Sequence, residues 1–233
     1  MRAIAIIPAR IGSKRVKQKN ILPICGKPMI SWVINNALKS EVFEKIFVST
    51  DSPKIASIAV ESGAEVPFLR HKKLSSDFIG TAEVIKDAIS KIQINKNVFV
   101  CCIYPTAVLI DPKMYQSSFK IAKNNPERIT ISLGKYSHPI ERAIRAEEDN
   151  SYVDCFPEFS GTRSQDLVPK FFDAGQFYWG RASIWNQKEK FTERNGIVLK
   201  SYQFVDIDTE DDVVLAENLL NLNTFNRNDN SFY

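Results

Sequence analysis

Short, uniformly apolar runs alternate with segments of helical spacing along this 233-residue chain, and that alternation constrains its fold most. Ala3-Ile4-Ala5-Ile6-Ile7 and Val98-Phe99-Val100-Cys101-Cys102-Ile103 have no polar position, whereas a strand with one wet face would alternate. Each predicts a parallel strand covered on both faces. Pro28 to Leu38 carries apolar residues at helical spacing, and Lys45 to Asp51 reads as a second strand. Ser52-Pro53 has the N-cap and first-turn-proline signature of a helix that runs through Ala59 and stops at Gly63, after which Val66 to Arg70 is extended. Helices are predicted over Ile79 to Ile92 and Asp111 to Lys123, and strands over Val98 to Tyr104 and Ile129 to Leu133. The implied class is α/β, a mostly parallel, doubly wound sheet reached by right-handed crossovers.

From Gly134 the pattern changes. A charged, alternating stretch around Ile140 to Arg145 predicts a β-rich excursion, an insertion at about 134–172 in a single domain of residues 1–222. Ala174 to Trp179 and Tyr202 to Ile207 read as returning strands, and Thr209 to Leu220 as a closing amphipathic helix with acidic residues in its first turn. Residues 223–233 are polar and asparagine-rich, which predicts a frayed tail.

Pro8 ends the first apolar run and opens a loop holding Arg10, Lys14, Arg15, Lys17 and Lys19 around Gly12-Ser13. Ligands of open α/β sheets bind at the carboxyl ends of the strands, where this loop falls. Clustered cations beside a glycine suit a ligand with several negative charges, such as a nucleoside triphosphate; a merely solvated basic loop is the other reading. The Walker glycine-to-lysine spacing is absent, so side chains and loop amides would hold the phosphates. Asp206-Ile207-Asp208 also precedes a helix at that edge, and carboxylates two apart on extended chain share a face. That pair suits Mg²⁺, which takes a few carboxylates plus phosphate oxygens and water, although Asp208 also reads as a helix N-cap.

Composition narrows the class. Net charge is only +4, the densest basic segment is the first loop, and no basic–aromatic interleaving follows it, so a nucleic-acid groove is disfavoured. No stretch approaches the roughly 20 apolar residues of a membrane span, and the amino terminus lacks a cleavage-site pattern, which predicts a soluble cytoplasmic protein. The four cysteines show no metal-like pairing, and His71 and His138 no zinc spacing.

The string Ile7-Pro8-Ala9-Arg10-x-Gly12-Ser13-Lys14-Arg15, followed by Lys19-Asn20, resembles the opening motif of the sugar-acid cytidylyltransferases, with Ile11 where the usual motif has a first glycine. The resemblance implies a Rossmann-like nucleotidyltransferase fold whose β-rich arm makes a homodimer. It implies CTP and a nine-carbon sugar acid as substrates, with no nucleic acid or membrane partner. Ala9, Arg10, Gly12, Ser13, Lys14, Lys19, Asn20, Arg70, Asp77 and Thr81 would bind the nucleotide, and Asp206 and Asp208 the Mg²⁺. Arg10, Lys19 and Asp208 would be catalytic. Leu74-Ser75-Ser76-Asp77-Phe78-x-Gly80-Thr81 and Asp173-Ala174-Gly175-Gln176-Phe177-Tyr178 resemble the pseudaminic acid branch of the family. On that basis Tyr104, Thr106, Arg163, Gln165, Gln176, Phe177 and Tyr178 are expected at the sugar, with Arg163 on its carboxylate. By position alone, an aromatic such as Tyr104 at a strand end is more often packing than recognition.

Overall fold

The computed structural model describes residues 3–76, 78–186 and 193–228, with side chains to residue 222. Its elements in chain order are β1 (Ala3–Pro8), β2 (Pro23–Ile24), β3 (Lys27–Pro28), α1 (Met29–Lys39), β4 (Phe43–Ser49), α2 (Pro53–Glu61), α3 (Thr81–Ile92) and β5 (Phe99–Ile103). They continue as α4 (Pro112–Asn124), β6 (Ile129–Lys135), β7 (Ile144–Ala146), β8 (Tyr152–Asp154), β9 (Phe171–Arg181), α5 (Ala182–Trp185), β10 (Arg194–Val198) and α6 (Glu210–Asn228).

A six-stranded sheet, ordered β10-β6-β9-β5-β1-β4, forms the centre. β1 pairs in parallel with β4 and β5, β10 with β6, and only β9 runs against its neighbours β5 and β6. The sheet is therefore mostly parallel, and its apolar runs are buried on both faces as their composition requires. One face packs Ile7, Val33, Ile55, Tyr115 and Trp179 in one cluster with α1, α2 and α4, and the other packs Ile6, Ile85, Val100 and Trp185 with α3 and α5. Helix starts follow local chemistry: Ser52 Oγ accepts the Ile55 amide at 3.4 Å, and Asp111 Oδ1 accepts that of Lys113 at 2.8 Å.

Three expectations need correction. Tyr202 to Ile207 is no strand: it forms a 3-10 turn at Ser201–Gln203 and then an extended segment outside the sheet. The place beside β6 is taken by β10, whose composition gives little strand signal, and the displaced segment buries Val205 and Ile207 instead. Its carbonyls are met by side chains, Gln176 Nε2 at Val205 O (3.5 Å) and Lys19 Nζ at Ile207 O. The excursion is shorter than predicted, because residues 134–135 and 171–172 belong to the sheet, and a Tyr136 N to Lys170 O bond of 3.1 Å closes its neck. It is also less β-rich, holding one hairpin of β7 and β8 amid 3-10 turns. Finally, α6 runs on to Asn228, beyond Leu220 and into the expected tail.

Candidate active site

β1, β4 and β5 end at one edge of the sheet, and the loops that follow them wall a cleft of about 640 Å³. The loop after β1 brings Arg10, Ser13, Lys14, Arg15, Lys19 and Asn20 to it, and the segment before α6 brings Asp206 and Asp208 to the same space. Arg70, Thr81, Tyr104 and Thr106 line it as well. The loop is held from within. Asn20 Nδ2 donates to Arg10 O at 2.8 Å, Ser13 N to Ile11 O at 3.0 Å, and Arg10 Nη1 to Ser75 O at 3.2 Å. Ile11, the bulky residue in the glycine position, packs against the core, so its side chain anchors the loop on the side away from solvent.

Lys19 donates to Asp208 Oδ1 at 3.1 Å, and Arg15 pairs with the other oxygen of that carboxylate at 2.5 Å. Helix capping does not consume Asp208: Thr209 and Asp212 cap α6 reciprocally, the Asp212 carboxylate accepting the Thr209 amide at 2.7 Å and Thr209 Oγ1 accepting the Asp212 amide at 3.3 Å. The N-cap reading of Asp208 therefore falls away. Burial, and then the neighbouring Asp208 charge, raise the Asp206 carboxyl above its ordinary range, while Lys19 and Arg15 pull it back. Arg70 is 5% exposed, and its amide donates to Thr50 O at 2.7 Å while Nε donates to Ser75 Oγ at 3.1 Å.

Some expected residues lie elsewhere. Ala9 is buried with its amide on Ser49 O at 3.0 Å, so it positions the loop and does not line the cleft. Gly12 is exposed on the loop, and Asp77 lies outside the described residues. Arg163 and Gln165 sit on the exposed excursion, where Arg163 Nε meets Asp166 Oδ2 at 2.8 Å, and neither lines this chain's cleft. Phe177 is a correction: it is fully buried and packs on Tyr115 with ring centroids 5.6 Å apart, because it points to the opposite face of β9 from Tyr178. Gln176 is another, since it is fully buried, lines neither the cleft nor the cavity beside it, and gives its Nε2 to Ala174 O at 2.7 Å, while its buried Oε1 has no hydrogen-bond partner among the described residues. Tyr178 instead lines a smaller cavity of about 220 Å³ beside the cleft, and Thr81 and Tyr104 line both.

Asp51 escaped the sequence reading. Its Oδ1 accepts the Ile11 amide at 3.1 Å, and its charge acts on the buried Arg70 guanidinium, so one carboxylate ties the cationic loop to the cleft wall. An acidic residue just past a buried strand, facing the edge where the basic loop must lie, was the available signal.

A doubly wound sheet whose carboxyl edge gathers a cationic loop opposite paired carboxylates is the architecture of a nucleotide-handling α/β enzyme. The profile of the family described as Cytidylyltransferase matches residues 4–203. A pseudaminic acid cytidylyltransferase of Campylobacter jejuni is 34% identical over 96% of this chain and 98% of its own length. A CMP-N,N'-diacetyllegionaminic acid synthase of Legionella pneumophila is 32% identical, with the same coverage. Among solved structures, a CMP:2-keto-3-deoxy-manno-octonic acid synthetase complexed with CTP superposes with a TM-score of 0.71, covering 96% of this chain and 100% of that one at 15% identity, a likeness of fold. This chain belongs to the cytidylyltransferase family, enzymes that transfer CMP from CTP.

Proposed function

We propose that this chain transfers the CMP group of CTP to pseudaminic acid, a nine-carbon sugar acid, and releases pyrophosphate. The observation that carries the reading is the 34% identity to a pseudaminic acid cytidylyltransferase along nearly the whole of both chains. The cleft supports it: Arg10, Lys14 and Lys19 meet the triphosphate, the anomeric hydroxyl of the sugar acid approaches the α-phosphate, and pyrophosphate leaves toward the cationic loop. Alignment and charge neutralisation by these side chains supply most of the acceleration, as phosphoryl transfer demands little covalent chemistry of the protein. Ser13 and the loop amides orient the phosphates, and Lys19, already bridging Ile207 O and Asp208, links them to the acidic wall.

Asp206 and Asp208 fit a hard divalent cation, being two carboxylates that line one cleft, where burial first and then the Asp208 charge raise the Asp206 carboxyl. They would hold Mg²⁺, which when bound neutralises charge on the phosphate oxygens. The four free thiols suit a reducing cytoplasm, and no helix among the described residues is long and apolar enough to cross a membrane.

Pyrophosphate release with CTP and Mg²⁺ against pseudaminic, N-acetylneuraminic, legionaminic and 3-deoxy-manno-octulosonic acids tests the assignment, with ATP, GTP and UTP as controls. Turnover confined to CTP and pseudaminic acid is expected. Preference for legionaminic acid, as the relative from Legionella would suggest, moves the specificity, and silence with every acid defeats the reading.

The excursion between β6 and β9 is proposed to face a second copy of this chain. Ile144, Tyr152 and Val168 are exposed on it, and Arg163 there would serve the partner's cleft. Sedimentation is expected to give a dimer; a monomer at high protein concentration would refute this.

A further inference from the structure

The end of β4 is stitched on both sides. On one side Pro8 pairs with Ser49, and the Ala9 amide extends that pairing by donating to Ser49 O at 3.0 Å, so β1 delivers its loop directly beside β4. On the other side a parallel segment meets β4 and its exit at two bridges, Phe47 with Glu65 and Thr50 with Leu69, and the Arg70 amide donates to Thr50 O at 2.7 Å. Asp51 comes next, so it emerges between the cationic loop and the Arg70 segment. Its backbone is fixed in turn, because the Ser52 amide donates to Thr50 Oγ1 at 3.2 Å and Ser52 caps α2.

Asp51 serves both neighbours. Toward the loop, its Oδ1 accepts the Ile11 amide at 3.1 Å, while the Ile11 side chain packs on the core and Ile11 O accepts the Ser13 amide at 3.0 Å. The residue that precedes Gly12-Ser13 is thus anchored at three points. Toward Arg70 it is charge that acts. Arg70 is buried and gives Nε to Ser75 Oγ at 3.1 Å, and Arg10 gives Nη1 to Ser75 O at 3.2 Å, so two guanidiniums converge on one serine. Burial disfavours the Arg70 charge most, the Asp51 carboxylate is the strongest group restoring it, and Arg10 works against it.

We infer that Asp51 is a positioning residue for the nucleotide half of the site, holding the Ile11 amide and the Arg70 guanidinium in register across the end of β4. It thereby sets the affinity for the triphosphate of CTP while standing outside the residues that line the cleft. The inference rests on the function proposed above. The sign of the effect separates positioning from plain electrostatics. A carboxylate near a polyanion repels it, so on charge alone neutralising Asp51 would tighten CTP binding. A positioning residue does the opposite, since its loss lets the loop and the buried arginine shift.

The experiment is calorimetric titration of CTP, with Mg²⁺ present, into wild type, Asp51→Asn and Asp51→Ala, with steady-state pyrophosphate release and thermal midpoints recorded alongside. Asparagine keeps an oxygen for the Ile11 amide and removes the charge; alanine removes both. The Kd for CTP is expected to rise about 10-fold in Asp51→Asn and about 100-fold in Asp51→Ala, while KM for the sugar acid stays within about twofold. Should the alanine variant fail to fold, the asparagine variant decides. Unchanged or tighter CTP binding by Asp51→Asn overturns the inference alone, as does a KM for the sugar acid that rises as much as the Kd for CTP. A wild type that binds no CTP overturns the functional reading and this inference with it.

Discussion

Asp208→Asn is expected to lower turnover by about 10²–10³-fold while the thermal midpoint stays near that of the wild type. The side chain keeps its volume, and what it loses is charge at the point where Lys19 and Arg15 converge from the nucleotide loop. Stability should fall only modestly: the Arg15 side chain is 70% exposed and such pairs contribute no more than about 1 kcal/mol, while Lys19, 18% exposed, keeps its bond to Ile207 O and can still donate to the asparagine oxygen. The helix start is also spared, since Thr209 and Asp212 cap α6 without it. Pyrophosphate release and a melting curve on the same preparation decide the matter. Near-normal turnover would remove Asp208 from the chemistry, and a collapsed midpoint would make it structural.

The second large effect falls on stability. Phe177→Ala should cost about 3–5 kcal/mol, as truncation of a fully buried aromatic does, and lower the midpoint by roughly 6–20 °C in a domain of this size. The ring lies against Tyr115 in the main apolar cluster, which also holds Trp179, so the cavity left behind cannot easily collapse. The folded fraction should keep its KM for the sugar acid. A variant with a normal midpoint and a raised KM would return Phe177 to the substrate site that its place in the string Asp-Ala-Gly-Gln-Phe-Tyr first suggested.

The contrast between Phe177 and Tyr178 shows where a sequence stops being legible. Adjacent strand residues face opposite ways, and which faces the core depends on register. The register of β9 is set by a bulge that no periodicity announces. By the same route Asp173 reaches Tyr178, a meeting that regular strand geometry forbids. Gln176 misled for a related reason: a polar residue in a binding-like string was needed indoors, to satisfy the carbonyl of a segment displaced from the sheet. Asp51 went unnoticed because its partners, Ile11 and Arg70, are distant in sequence and meet it only across the sheet edge.

The amino-acid sequence by itself determined the α/β class, the buried parallel strands, most helix starts and the cationic loop at the end of β1. These are local properties, readable from apolar runs, caps and charge within a few residues of one another. The tertiary structure alone decided that β10 and not Tyr202 to Ile207 pairs with β6, that Lys19 meets Asp208, and that a bulge joins Asp173 to Tyr178. Each of those depends on competition between distant segments for a sheet edge or a buried hydrogen bond. Such competition is settled by packing the whole chain at once.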